Sequence, residues 1–114
     1  MKFTVSQSAL SRALSVVSKG IGAQATLPIL AGIHMSAHAG SIEFQTTNMN
    51  ISIRHSIPAN VEDEGDTVVS GKILSNVVKN LPDSAVTFDD TTGSMNISCE
   101  KSHFKLNTLD PADF

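Results

Sequence analysis

The chain has 114 residues, 40% of them hydrophobic and 17% charged, with a net charge of −3 and a mean hydropathy of +0.04. That is the make-up of one soluble globular domain, long enough to bury roughly two thirds of its unfolded surface. No apolar run approaches the ~20 residues of a membrane span, no apolar stretch follows Lys2 as in a secretory signal, and a lone cysteine, Cys99, excludes an internal disulfide framework and fits a reducing cytoplasm.

In chain order, Met1–Val5 reads as a strand and 8–19 as an amphipathic helix. Leu10, Ala13, Leu14 and Val17 fall on one arc, with Ser8, Ser11, Arg12, Ser15 and Lys19 opposite. Ser6 or Ser8 caps the helix start, and Gly20 ends it in a left-handed conformation. After a flexible Gly20–Ala25 loop, Thr26-Leu27-Pro28-Ile29-Leu30 opens a strand that continues through Ile33 and Met35. Ala39-Gly40 turns into a strand at Ser41–Thr46, and Asn48-Met49-Asn50 turns into another carrying Ile51, Ile53 and His55. The stretch 58–66 is a polar connector rich in acids.

The second half repeats the plan. Thr67–Ser70 leads into a helix at 71–81, with Ser70 under Ser6, Leu74 under Leu10 and Val78 under Leu14. Further on, Ile42 lies over Met95, and Ile51 and Ile53 lie over Phe104 and Leu106. The two repeats, about 1–57 and 65–109, each read strand, helix, three antiparallel strands. The fold expected is a pseudo-duplicated α+β domain with both helices on one side of the strands.

Charge is sorted along this plan. The helices hold Arg12, Lys19, Lys72 and Lys79 and no acid; with a net charge of −3 overall and +4 on the helices, the remainder carries −7. Such sorting suits a polyanionic partner on one face, while the plain alternative is four ordinary solvated cations. Catalytic chemistry is missing. His34 and His38 lie on a strand pattern with no zinc set to join. The 62–66 carboxylates lack the spacing of a calcium loop. Cys99 alternates with Met95 and Ile97 as a small core residue, and no nucleophile elbow or phosphate loop is present.

MKFTV at the start, the helix, TLPIL, and TLDPADF at the end together resemble the N-terminal domain of the bacterial sliding clamp, the beta subunit of DNA polymerase III. The resemblance covers Met1 to Phe114 and only the first of that family's three domains, so a fragment is expected. It implies the DNA-clamp fold, two helices packed on two four-stranded antiparallel sheets. The implied function is a non-catalytic processivity factor, without cofactor or metal, in the bacterial cytoplasm and at the nucleoid during replication. Two subunits would close head to tail around duplex DNA, tethering the replicative polymerase and meeting the clamp loader.

Carried over residue by residue, the resemblance implies DNA contacts by Arg12, Lys19, Lys72 and Lys79, and by the loop holding Gln24, where the family often has a basic residue. It implies a subunit interface at Lys101, His103, Phe104 and Leu106 with Ile73 at the start of the second helix. His103 stands where an Arg can occur and Ile73 where a Lys can. The alternative for Phe104 and Leu106 is ordinary core. A β-rich protein-interaction module without nucleic-acid binding is the competing function, and a small hydrolase is a third.

Overall fold

The computed structural model describes residues 1–22, 28–48 and 50–114. The elements run β1 (Lys2–Ser6), α1 (Gln7–Val17), β2 (Gly32–His38), β3 (Ser41–Thr47), β4 (Ser52–Pro58), β5 (Asn60–Asp63), β6 (Gly65–Ser70), α2 (Gly71–Lys79), β7 (Ala85–Asp89), β8 (Met95–Cys99) and β9 (Ser102–Leu106). Short 3-10 turns at Ser18–Gly20, Pro28–Ala31 and Pro111–Asp113 punctuate them. Both helices begin the same way. The Ala9 N–H donates to Ser6 Oγ and the Ile73 N–H donates to Ser70 Oγ, each at 3.3 Å, so each cap satisfies one otherwise orphan donor.

The strands form two antiparallel sheets, ordered β5-β1-β7-β8-β9 and β4-β3-β2-β6. The first strand of each repeat is therefore exchanged: β1 joins the second repeat's meander and β6 joins the first's. The registers are equivalent as well. Val5 opposes Val86 as Val69 opposes Ile33, and Phe3 opposes Phe88 as Thr67 opposes Met35. In both repeats a helix carries the chain from one sheet to the other, so the duplication read from sequence is closed by mutual strand exchange.

Each sheet buries one face, as the alternation of buried and half-exposed residues along β3 and β8 shows. Leu10, Leu14 and Val17 of α1 and Leu74 and Val78 of α2 join Phe3, Phe44, Phe88, Met95 and Ile97 in one continuous core. Phe3 and Phe88 stack at 4.7 Å between ring centroids with 7° between planes. The helices thus cover the inner faces on the same side, and their polar arcs point outward.

Several sequence expectations need correction. One sheet has five strands, because part of the 58–66 connector is β5: it pairs with β1 (Phe3 opposite Val61), and Val61 packs against the core while Asn60, Glu62 and Asp63 stay outside. An otherwise open edge of β1 gains ladder partners, which a polar composition does not reveal. TLPIL does not open β2. Pro28–Ala31 is a 3-10 turn and β2 starts at Gly32; Thr26 and Leu27 lie outside the described residues.

The β4–β9 correspondence is also displaced. Leu106 opposes Met95 as Ile57 opposes Ile42, so Leu106 stands under Ile57, not Ile53. The reason is the hairpin: residues 48–51 join β3 to β4, whereas Glu100-Lys101 alone joins β8 to β9. Finally, Gly20 does not end α1 in a left-handed conformation, since the glycines with positive φ are Gly40, Gly65 and Gly93.

Candidate nucleic-acid interface

α1 and α2 lie side by side, and between them runs an open groove of about 450 Å³. Its floor is apolar, formed by Leu14 and Val78. One wall is Ser11 and Ser15 of α1; the other is Lys72, Ser75, Asn76 and Lys79 of α2. No carboxylate lines it among the described residues. The Gln7 side-chain N–H donates to the Val78 carbonyl at 2.9 Å, tying the start of α1 to α2.

The groove follows from the helix periodicity. Placing Leu10, Leu14, Leu74 and Val78 in the core forces the intervening small polar residues and cations outward. Arg12, Lys19, Lys72 and Lys79 are all exposed. Among the described residues the ion pairs join Met1 to Asp63 and Asp90, Lys2 to Glu62, and His34 to Asp66; none takes up these four cations. The helical face therefore presents positive charge that the protein itself does not neutralise. Lys72 and Lys79 line the groove, whereas Arg12 and Lys19 lie outside its lining.

Sequence reasoning missed how the end of α1 is held. Thr46, fully buried on β3, donates its hydroxyl to the Val17 carbonyl, and Asn48 Nδ2 donates to the Gly20 carbonyl at 3.2 Å. Asn48 Oδ1 also accepts from the Asn50 and Ile51 N–H groups at 2.7 and 2.9 Å. A turn-forming Asn was visible in the sequence; its grip on a helix 28 positions earlier was not. These bonds fix the point where the chain leaves toward Gln24, which itself lies outside the described residues.

Three of the five interface candidates, His103, Phe104 and Leu106, share β9, the outer strand of the five-stranded sheet. Lys101, in the turn before it, and His103 are exposed, and His103 Nδ1 is 3.0 Å from Ser98 Oγ. Phe104 is half-buried against the core. Leu106 is not a surface residue: at 6% exposure it packs in the core opposite Met95, the ordinary-core alternative. Ile73 stands apart on the first turn of α2, 52% exposed. His34 and His38 hold different partners: His34 Nε2 sits 3.1 Å from Asp66 with Phe114 stacked on its ring, and His38 Nε2 sits 2.7 Å from Ser36 Oγ.

Fold and face together define a class, a strand-exchanged α+β repeat that turns a basic, acid-free helix pair to solvent. The family model for the DNA polymerase III beta subunit, N-terminal domain, matches residues 1–114, and the chain belongs to that family. It is 32% identical over 114 residues to the beta sliding clamp of Micrococcus luteus, covering all of this chain and 37% of that protein. With the beta sliding clamp of Rickettsia felis it shares 34% over 116 residues, all of this chain and 30% of the relative. Among solved structures, Caulobacter crescentus pol III beta superposes with a TM-score of 0.96 at 29% identity, over 100% of this chain and 31% of that one. A putative DNA polymerase III beta subunit from Eubacterium rectale superposes with a TM-score of 0.94 at 32% identity, over 100% and 32%. The chain spans about a third of the length of these relatives.

Proposed function

We propose that this chain acts as the first domain of a three-domain, ring-shaped DNA polymerase processivity factor. In this reading it is a non-catalytic part of a replicative polymerase assembly and needs no cofactor. The ring, two such subunits joined head to tail, encircles duplex DNA at the nucleoid in the cytoplasm and tethers the polymerase; a clamp loader opens it. Family membership supports the reading, and the observation that carries it is the set of four exposed helix cations without an ion-pair partner among the described residues.

Arg12, Lys19, Lys72 and Lys79 would meet phosphates, with Gln24 reaching the DNA from its loop. Contacts to phosphate position a duplex without reading its sequence, which is what sliding requires. Ring closure would use the β9 edge through Lys101, His103 and Phe104, and Ile73 on α2. Leu106 would support Phe104 from within.

Four phosphate contacts set an upper salt slope of about −3.6 for log K, at roughly −0.9 each, and an affinity near the ~100 μM end of non-specific binding at physiological salt. A closed ring offsets that weakness by topology, because DNA leaves only when the ring opens or an end is reached. At low salt, duplex DNA should shift NMR signals of α1 and α2, and Lys72→Glu with Lys79→Glu should abolish those shifts while the fold persists. Perturbations that survive in the double variant, or that map to the acidic 58–66 stretch, would favour the protein-interaction module instead.

A further inference from the structure

Independently of the DNA-tethering reading, we propose that the free α-ammonium of Met1 is a structural cation of this fold. The domain is completed only after hydrolysis removes any acyl group from that nitrogen, such as the formyl group with which bacterial ribosomes begin a chain. The nitrogen is held between the two strands that flank β1. It donates to Asp90 Oδ1 at 2.8 Å, just beyond β7, and lies 3.7 Å from Asp63 Oδ2 at the end of β5. The Asp90 N–H donates back to the Met1 carbonyl at 3.1 Å. Met1 is itself part of the core at 7% exposure, and a Cβ on Gly65 would come within 3.2 Å of the Met1 Cβ.

An acyl group turns this ammonium into an amide, removing its charge and leaving a single N–H. Asp63 and Asp90 would then stand on either side of β1 with no cation between them, since Lys2 pairs with Glu62 at 3.6 Å. Burial pulls the ammonium pKa down, but Asp90 and then Asp63 outweigh it and hold the value above the ordinary 8.0. Asp90 is the stronger partner, because the Asp63 side chain is 65% exposed and screened by water. In the required step water attacks the formyl carbon, the C–N bond breaks, formate leaves and the freed amine takes up a proton. The next N-terminal reaction is excluded. Removing Met1 would take a buried side chain out of the core, and peptidases that cleave a first methionine need a small second residue where this chain has Lys2.

The experiment makes the 114-residue chain by bacterial cell-free translation with and without an inhibitor of peptide deformylation, with mass spectrometry confirming each N-terminus. In urea melts at neutral pH the formylated chain should show a folding equilibrium constant lower by about tenfold or more, the scale of one charge-assisted hydrogen bond. Asp90→Asn should cost the free-amine chain a similar factor and the formylated chain much less, because both changes remove the same interaction. Raising the pH should narrow the gap between the two chains, since the ammonium's contribution is present below its unfolded pKa and lost as pH rises through the higher folded one. The other charged groups on the surrounding elements, Lys2, Glu62, Asp63, Glu64, Asp66, Asp89 and Asp90, are common to both chains. So is Cys99, whose thiol burial pushes up, and its alkaline titration cancels in the difference. The proposal is overturned if the two chains melt together, or if the formyl and Asp90→Asn penalties simply add. Should the formylated chain not fold at all, Asp90→Asn on the free amine decides, and an unchanged midpoint there overturns it.

Discussion

Gly20 shows how one missing methyl shapes the approach to the candidate interface. A Cβ there would collide with Thr46 Oγ1 and come within 3.3 Å of Ile53. Thr46 cannot swing away without giving up its bond to the Val17 carbonyl in a fully buried site, where an unpaired hydroxyl costs about 1–3 kcal/mol. Glycine is thus demanded by close packing and not by a left-handed turn. Gly20→Ala should lower stability by about 2 kcal/mol, within the usual range for overpacking. Gly22→Ala is the control, because among the described residues its new Cβ would meet only Asn48 Cβ at an ordinary 3.9 Å. Parallel denaturant melts of the two variants check this, and equal midpoints would refute it.

Among the elements, the β8–β9 hairpin marks where the second repeat departs from the first. Its two-residue turn puts Glu100 at a φ of 52°, the only non-glycine with positive φ among the described residues. A positive φ at the first central position alone is the pattern of a type II′ turn, which favours glycine there. Glu100→Gly should therefore raise stability by about 0.5–1 kcal/mol, the left-handed cost relieved less the extra freedom glycine has when unfolded. A thermal melt decides the sign. The short turn also explains why a fixed repeat offset misplaced β9. Alternation showed two apolar residues on one face, but the residue facing Met95 depends on how many positions the turn consumes.

For the molecule as a whole, strand exchange leaves β9 as an open edge. That edge carries Lys101, His103 and Lys105 exposed, with half-buried Phe104 among them. Two copies pairing through β9 would bring the Lys101 and Lys105 ammonium groups together, which disfavours self-association. The proposed ring joins unlike domains, a heterologous contact that this chain cannot close with itself. By sedimentation at micromolar concentration the 114-residue chain should be a monomer; a stable, concentration-independent dimer would contradict the proposed use of this edge.

The sequence by itself determined the duplication, both helices and their buried faces, because hydrophobic periodicity and capping serines are local signals. Leu10, Leu14, Leu74 and Val78 went inward as their 3.6-residue spacing required. It also determined the segregation of cations onto helix arcs, since a residue's arc follows from its position in the repeat. Tertiary structure decided the rest. Which strand neighbours which is a long-range matter: β1 and β6 could each have paired within their own repeat, and only packing of the whole core selects the exchange. The strand at 60–63 forms because β1 has an edge to fill, and nothing in the acidic residues around Val61 announces that partner. Leu106 goes inside and Phe104 stays at the margin because a two-residue turn sets their register against Met95 and Ile97. The groove likewise needed both helices in place, because its walls come from residues some 60 positions apart that meet only when two cores become one.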